Sequence, residues 1–261
     1  TITVANDNDD NHLPTWLKSY PVQIINYRGN QGPAFARNKG VGNPDSNFDW
    51  VYFTDCGCEH TTDIIMQFMD AQKTDDDSIV AVCGNVAGKG SGKINRYMTE
   101  MKILNPPFEE DLGPHGEQIP QAIITANVLI YAPAFHQLGG FSTAFAGAGG
   151  EDLDLGIRLR KLGRLVFAPN VTVYHEFDED IQDFIRRFER YGRGNRLIEQ
   201  IHKLQSLRPI PILQNNPEFS DLTKLQFESL SKGYDQAKLE NTVRFPARTL
   251  KRAALKILGY N

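Results

Sequence analysis

What most constrains this chain is an alternation. Apolar runs at 1–5, 22–27, 50–54, 79–83, 123–131, 165–168 and 171–175 have the length and β-branched content of strands. Between them, segments 33–41, 62–73, 93–103, 151–162 and 180–204 carry helical patterning. Several of the strand candidates are apolar on both faces, as in a sheet covered by helices on either side. Pro33, directly after Gly32, fits a first helical position. The expectation is an α/β domain with a mostly parallel central sheet flanked by helices, over residues 1–205. In such a sheet, ligands sit beyond the carboxyl ends of the strands.

A second unit is expected over residues 206–261. Arg208-Pro209-Ile210-Pro211 breaks the preceding helix, and the rest reads as a polar helical extension. Residues 244–258 are basic and amphipathic, fitting either an anionic membrane surface or a helix docked on this chain or a neighbour, so peripheral membrane contact and a homo-oligomer are both expected. Residues 84–121 read as loops around a short helix, with substrate binding as their expected use.

The net charge of −4 argues against a dedicated nucleic-acid binder. Cys56, Cys58 and Cys83 form no disulfide framework or zinc spacing and point to a reducing compartment. No run is as long and apolar as a membrane span, and no secretory leader is read, so the expected location is cytoplasmic, with contact at the inner membrane face. Walker-type, G-x-G-x-x-G and G-x-S-x-G patterns are absent.

The chemistry concentrates where glycines run into acids. Gly147 to Gly150 precede Glu151-Asp152-Leu153-Asp154, and the acids open an amphipathic helix. Leu155, Leu159 and Leu162 share the stripe of Asp152, which heads the buried face. Glu151, Asp154, Arg158 and Lys161 form a separate stripe, expected to be solvated. Asp55 ends the apolar run 50–54, where a carboxylate points into the ligand crevice and can hold a hard cation. His175 closes another run and is a candidate metal ligand. Asp7, Asp9 and Asp10 follow the first strand and can accept hydrogen bonds from a base or ribose, Arg37 and Asn38 follow Gly32-Pro33, and Asp178 to Asp180 fit the cap of the long helix.

These blocks together resemble family 2 glycosyltransferases of the GT-A fold. Residues 30–40 look like the family's N-x-G-x-x-x-A-R-N-x-G segment, and residues 50–58 like the strand leading to its DxD motif. Thr125-Ala126-Asn127 looks like its small-residue and Asn stretch; residues 135–141 and 150–159 look like its F-x-x-x-G-G-F and E-D-x-D-L-x-x-R blocks. The resemblance implies sugar transfer with inversion from a nucleotide-sugar, UDP-linked in the commonest case, to a hydroxyl of a glycan, lipid-linked or other acceptor. It implies Asp152 as general base with Glu151 beside it, Asp7, Arg37, Asn38 and Asp55 on the donor, and Mn2+ or Mg2+ held by Asp55 and His175. Two departures accompany it. Gly57 stands at the third position of the DxD motif, and the family's first βα unit is not found ahead of Thr1. Both also fit a relative that binds nucleotide-sugar or glycan without turnover.

Overall fold

A computed structural model describes residues 1–7, 13–27, 29–42, 48–72, 78–145, 147–177, 179–212 and 216–237. Asp9, Asp10, Asp178 and the basic segment 244–258 lie outside the described residues. The chain has the expected α/β architecture. Its strands are β1 (Ile2–Asn6), β2 (Val22–Asn26), β3 (Trp50–Thr54), β4 (Cys58–Glu59), β5 (Ile79–Lys89), β6 (Asn127–Tyr131) and β7 (Arg164–Glu176). Its helices are α1 (Pro33–Val41), α2 (Ile64–Gln72), α3 (Lys93–Glu100), α4 (Ala132–Gln137), α5 (Glu151–Leu159), α6 (Ile181–His202) and α7 (Ser220–Gln236).

β1 and β2 form a parallel pair, and five strands form a sheet in the order β3-β6-β5-β7-β4. Most paired residues lie in the two parallel ladders, β1–β2 and β5–β7, while β6 runs antiparallel to both its neighbours. The two runs expected at 165–168 and 171–175 are one strand, interrupted by a register shift opposite Gly84 and Asn85. The Asn127 side chain fills that irregularity, donating to the carbonyls of Asn85 and Val171 at 2.9 Å each and accepting from Tyr52 at 3.0 Å. β5 reaches Lys89, so the first part of the expected 84–121 loop is strand.

Strand alternation divides the core. Leu129, Val82 and Val173 face a cluster with Phe68 of α2, Tyr97 of α3, Phe184 and Phe188 of α6, and Leu222 of α7. Val128, Ile130 and Ala81 face the other, with Ala34 of α1, Phe135 of α4, and Leu155 and Leu159 of α5. α1 also packs on β1, where a Cβ on Gly40 would make ordinary contact with Ala5 at 3.6 Å. The polar sequence around 217–236 folds onto the same core. Phe219 and Leu222 are buried there, and Gln226 accepts a hydrogen bond from the buried Tyr97 hydroxyl at 2.8 Å.

α6 and α7 approach closely because glycines replace side chains at the crossing. A Cβ on Gly192 would lie 2.0 Å from the Leu230 carbonyl oxygen, and one on Gly233 would lie 2.0 Å from that of Glu189. Gly192→Ala must push the helices apart. Overpacking of this kind costs about 1–3 kcal/mol, and urea denaturation is expected to show a loss of that size; an unchanged midpoint would mean that the crossing relaxes freely.

Candidate active site

The candidate residues gather where strand ends meet the starts of α1 and α5. Asp55 directly follows β3, and Cys58 N donates to its carbonyl at 3.1 Å in a tight turn. β4 then pairs Cys58 with His175 near the end of β7, which brings His175 beside that turn. Asp7 follows β1 and accepts from the Gly32 amide at 2.6 Å, immediately before α1. Gly32 has φ +92°, a backbone that only glycine adopts without strain. The other oxygen of Asp7, Oδ1, is buried without a hydrogen-bond partner.

Arg37 of α1 joins the two halves of the site. Its guanidinium donates to Glu151 Oε1 at 2.8 Å and to Asp55 Oδ1 at 3.1 Å, and it lies 5.7 Å from the Phe141 ring centroid. Burial alone would lower its pKa, but Asp55, Glu151 and Asp152 outweigh burial and raise it. Asn38, one residue on, clasps the backbone of Phe141: its amide donates to Phe141 O and its oxygen accepts from Phe141 N, both at 2.8 Å. A Cβ on Gly140 would come within 2.4 Å of that oxygen, and Gly140 has φ +73°, so both space and backbone demand glycine there.

The two neighbouring acids of α5 have opposite environments. Glu151 is only 3% exposed, which corrects the solvated face expected for it. One of its oxygens takes Arg37 and the other accepts from the Gly149 amide at 2.7 Å. Asp152 accepts from its neighbour Leu153 N at 2.8 Å and more distantly from Thr125 N at 3.5 Å. Burial, then the charge of Glu151, push its carboxyl up to about 7, against the pull of Arg37.

Asp154 is also buried, at 1% exposure, and corrects the same expectation. Arg158 meets its Oδ2 at 2.7 Å, and His202, at the end of α6, meets its Oδ1 at 2.8 Å. Arg158 also donates to the Leu138 and Gly140 carbonyls, so this ion pair holds the same loop as Asn38. Burial would raise the Asp154 carboxyl, but His202 and Arg158 leave it below its ordinary value of 3.8.

The His175 ring stacks on Phe177 with centroids 4.7 Å apart, and its Nδ1 is buried without a partner. Burial lowers its pKa, against the pull of Asp55, so the ring is neutral near pH 7. Among the described residues, no three His, Cys, Asp or Glu side chains gather as a metal cage. Asp180 caps α6 as expected, accepting from Gln182 N and Asp183 N at 2.8 Å each.

Several participants escaped the sequence reading. Tyr191 of α6 is close enough to Asp152 to feel its charge, and its hydroxyl accepts from Arg187 at 3.1 Å. Gly194 lets α6 press on the acid-bearing turn, since a Cβ there would meet the Gly149 carbonyl oxygen at 2.5 Å. The visible signal was Gly192-Arg193-Gly194 inside a helix, where glycine is costly without a packing reason.

A profile described as Glycosyl transferase family 2 matches residues 1–135, and one described as Glycosyl transferase family group 2 matches residues 93–227. The chain belongs to glycosyltransferase family 2. The two matches together span Asp7, Arg37, Asp55, Glu151, Asp152 and His175. No curated protein matches the chain. Among solved structures, the mannosyltransferase PcManGT from Pyrobaculum calidifontis, in complex with GDP-Man and Mn2+, is similar, with a TM-score of 0.50 and 12% identity over 94% of this chain and 66% of that one. GalNAc-T7 with UDP, GalNAc and Mn2+ is similar with a TM-score of 0.53 and 16% identity, over 89% of this chain and 48% of that one. This family 2 chain thus spans about two thirds of the first protein and about half of the second, and it shares their GT-A fold. Among its described residues, no helix is long and apolar enough to cross a membrane.

The Asp154 network gives a stability test. Asp154→Ala leaves Arg158 and the buried His202 without their carboxylate, and breaking a buried pair in this way costs about 3–5 kcal/mol. Because the folded carboxyl lies below 3.8, its contribution is present above that value and lost as pH falls through the lower, folded one. Denaturation at pH 7 is expected to show the loss. A variant as stable as the parent would remove this pair as a support of the 138–141 loop.

Proposed function

We propose that this chain transfers a sugar, with inversion, from a nucleotide-sugar, UDP-linked in the simplest case, to an acceptor hydroxyl. Family membership supplies the reaction class. The observation that carries the finer reading is the contrast between Glu151 and Asp152. Glu151 is spent on Arg37 and Gly149. Asp152 is a half-buried carboxyl held at about 7, the value that suits a general base at neutral pH.

In this reading Asp152 takes the proton from the acceptor hydroxyl. The acceptor oxygen attacks the anomeric carbon from the face opposite the nucleoside diphosphate, and the bond to the diphosphate breaks. Glu151 keeps Asp152 in place through the Gly149 turn. Asp7 Oδ1, buried and free, accepts a hydrogen bond from the base or ribose. Arg37 keeps Asp55 directed at the donor, and Asn38 shapes the same side through the loop it clasps. Glycine at 147, 149 and 150 lets the turn adjust around bound sugar.

Mn2+ accompanies the nucleotide in both solved relatives. The residues here fit a cation with two protein ligands, Asp55 and His175, because the neutral imidazole keeps Nδ1 unpartnered. When bound, the cation supplies positive charge to the departing diphosphate. Gly57 offers no carboxylate, but a Cβ there would lie an ordinary 3.6 Å from His175 Nε2. Cytoplasmic location, a glycan or lipid-linked acceptor, and assembly or membrane contact through residues beyond 206 belong to the same proposal.

Two experiments test it. Asp152→Asn is expected to cut turnover by about 100-fold or more while UDP affinity stays near the parent's. In the parent, kcat/KM should rise with pH through a limb near 7, because only the ionised carboxylate accepts the proton. Retained turnover in the variant, or a flat profile between pH 6 and 8, would remove Asp152 as the base.

The second is calorimetric titration with UDP and GDP, with and without Mn2+. Metal should strengthen binding in the parent, do so less in Asp55→Ala and His175→Ala, and do so more in Gly57→Asp. A metal effect identical in all four chains would sink the assigned ligands.

A further inference from the structure

Two nucleophilic side chains beside the candidate site have no part in the proposed reaction. Cys56 is exposed and Cys58 is half-buried, on either side of Gly57 in the turn that joins β3 to β4. The third cysteine, Cys83, lies in the core at 1% exposure.

The turn brings the pair together. The Cys58 amide donates to the Asp55 carbonyl at 3.1 Å, which folds residues 55–58 back on themselves. Consecutive Cα atoms are about 3.8 Å apart, so this bend leaves those of Cys56 and Cys58 within the roughly 4.4–6.8 Å that a disulfide spans. Cys56 is near enough for its charge to act on the Cys58 thiol. Gly57 puts no side chain between them, and a Cβ there would meet nothing nearer than the His175 ring at 3.6 Å. Cys58 gives up little by turning towards Cys56. Its thiol makes a weak bond to the Ala126 carbonyl at 3.6 Å, and Thr54 Oγ1 donates to the same oxygen at 3.1 Å, so that oxygen keeps a partner.

We propose that Cys56 and Cys58 are a reversible disulfide site, closed by a small-molecule disulfide such as oxidised glutathione, and that closure shifts the Asp55 turn. Asp55 opens that turn, held by Arg37 at 3.1 Å, and Cys58 ends it, paired with His175. The bearing of the site on nucleotide binding rests on the glycosyltransferase reading; the disulfide and its effect on the turn do not.

The chemistry is thiol–disulfide exchange. The exposed Cys56 sulfur, its proton given to water, attacks one sulfur of the small disulfide. That S–S bond breaks, and one glutathione leaves with the electron pair and takes up a proton. The Cys58 sulfur, its proton likewise given to water, attacks Cys56 in the mixed disulfide, and the second glutathione leaves in the same way. The two cysteines are oxidised, and one oxidised glutathione is reduced to two thiols. A ring closed across a single residue is tight, and strained disulfides are the ones that thiols reopen.

The test incubates the full chain with oxidised glutathione and reads it by mass spectrometry and hydrogen exchange. The parent is expected to lose two hydrogens with no adduct retained, and to regain them in dithiothreitol. Cys58→Ser is expected to stop at one glutathione, on Cys56. The Cys58 amide should exchange faster in the oxidised parent, because its bond to Asp55 is disturbed. A parent that keeps its thiols free, that accumulates the adduct as Cys58→Ser does, or that closes with exchange at 55–59 unchanged overturns the proposal. Titration with UDP and Mn2+ then reads the donor site, with binding about tenfold weaker in the oxidised parent and restored by dithiothreitol. Equal UDP affinity in both states, with the exchange change in place, would refute Asp55 as a donor residue and leave the disulfide standing.

Discussion

The Arg37 guanidinium is the interaction on which the rest of the site depends. It comes from α1, and it holds Asp55 at the end of β3 and Glu151 at the start of α5. Without it, two carboxylates would face each other across a partly buried space, and Asp152 would add a third. A buried charge is tolerated only when matched, and here one cation matches two anions and lies near a third. The same helix supplies Asn38, which pins Phe141, and receives Asp7 at its head. α1 is therefore less a layer of the sandwich than a bracket. It fixes the relative positions of three segments far apart in sequence.

α6 acts on the other side of the same turn. Gly192 admits α7 and Gly194 admits the Gly149 turn. One helix is thus held between the C-terminal helix and the acid-bearing loop, with little room on either side. His202 at its end reaches Asp154 of α5, adding a polar tie to the packing. Close-packed interiors move by discrete steps rather than by smooth deformation. The placement of Asp152 accordingly depends on residues as distant in sequence as Leu230.

Much of the framework was legible because it is local. Asp55 at the end of an apolar run, Pro33 at a helix start, Asp180 as a cap and the helix opening at Glu151 all follow from short-range pattern. What was not legible is long-range. Glu151 and Asp154 read as a solvated stripe, because their helix carries no sign that Arg37 lies 114 residues away or His202 lies 48 residues away. Periodicity reports which residues share a face, but not whether that face meets water or a matching charge. The single long strand at 164–176 was divided for a related reason. Its apolar pattern breaks at Pro169-Asn170, and side chains from other strands, Asn127 to the Val171 carbonyl and Asn85 to Thr172, make the irregularity part of the sheet.

The adjacent acids at 151 and 152 show how one dipeptide can carry two tasks. Successive residues on a helix point about 100° apart, so they enter different surroundings. Glu151 meets a cation and a backbone amide, and both stabilise its charge. Asp152 meets partial removal from water and the charge of Glu151 itself, and both destabilise its ionised form. The locked acid therefore helps to tune the free one. Removing the charge at 151 while keeping its shape, as in Glu151→Gln, should lower the pKa of Asp152 and shift the acidic limb of the rate profile to lower pH. The variant also weakens the hold on Arg37, so its kcat falls as well. A limb that stays near 7 would mean that burial alone sets the value, and that Glu151 serves only as a brace.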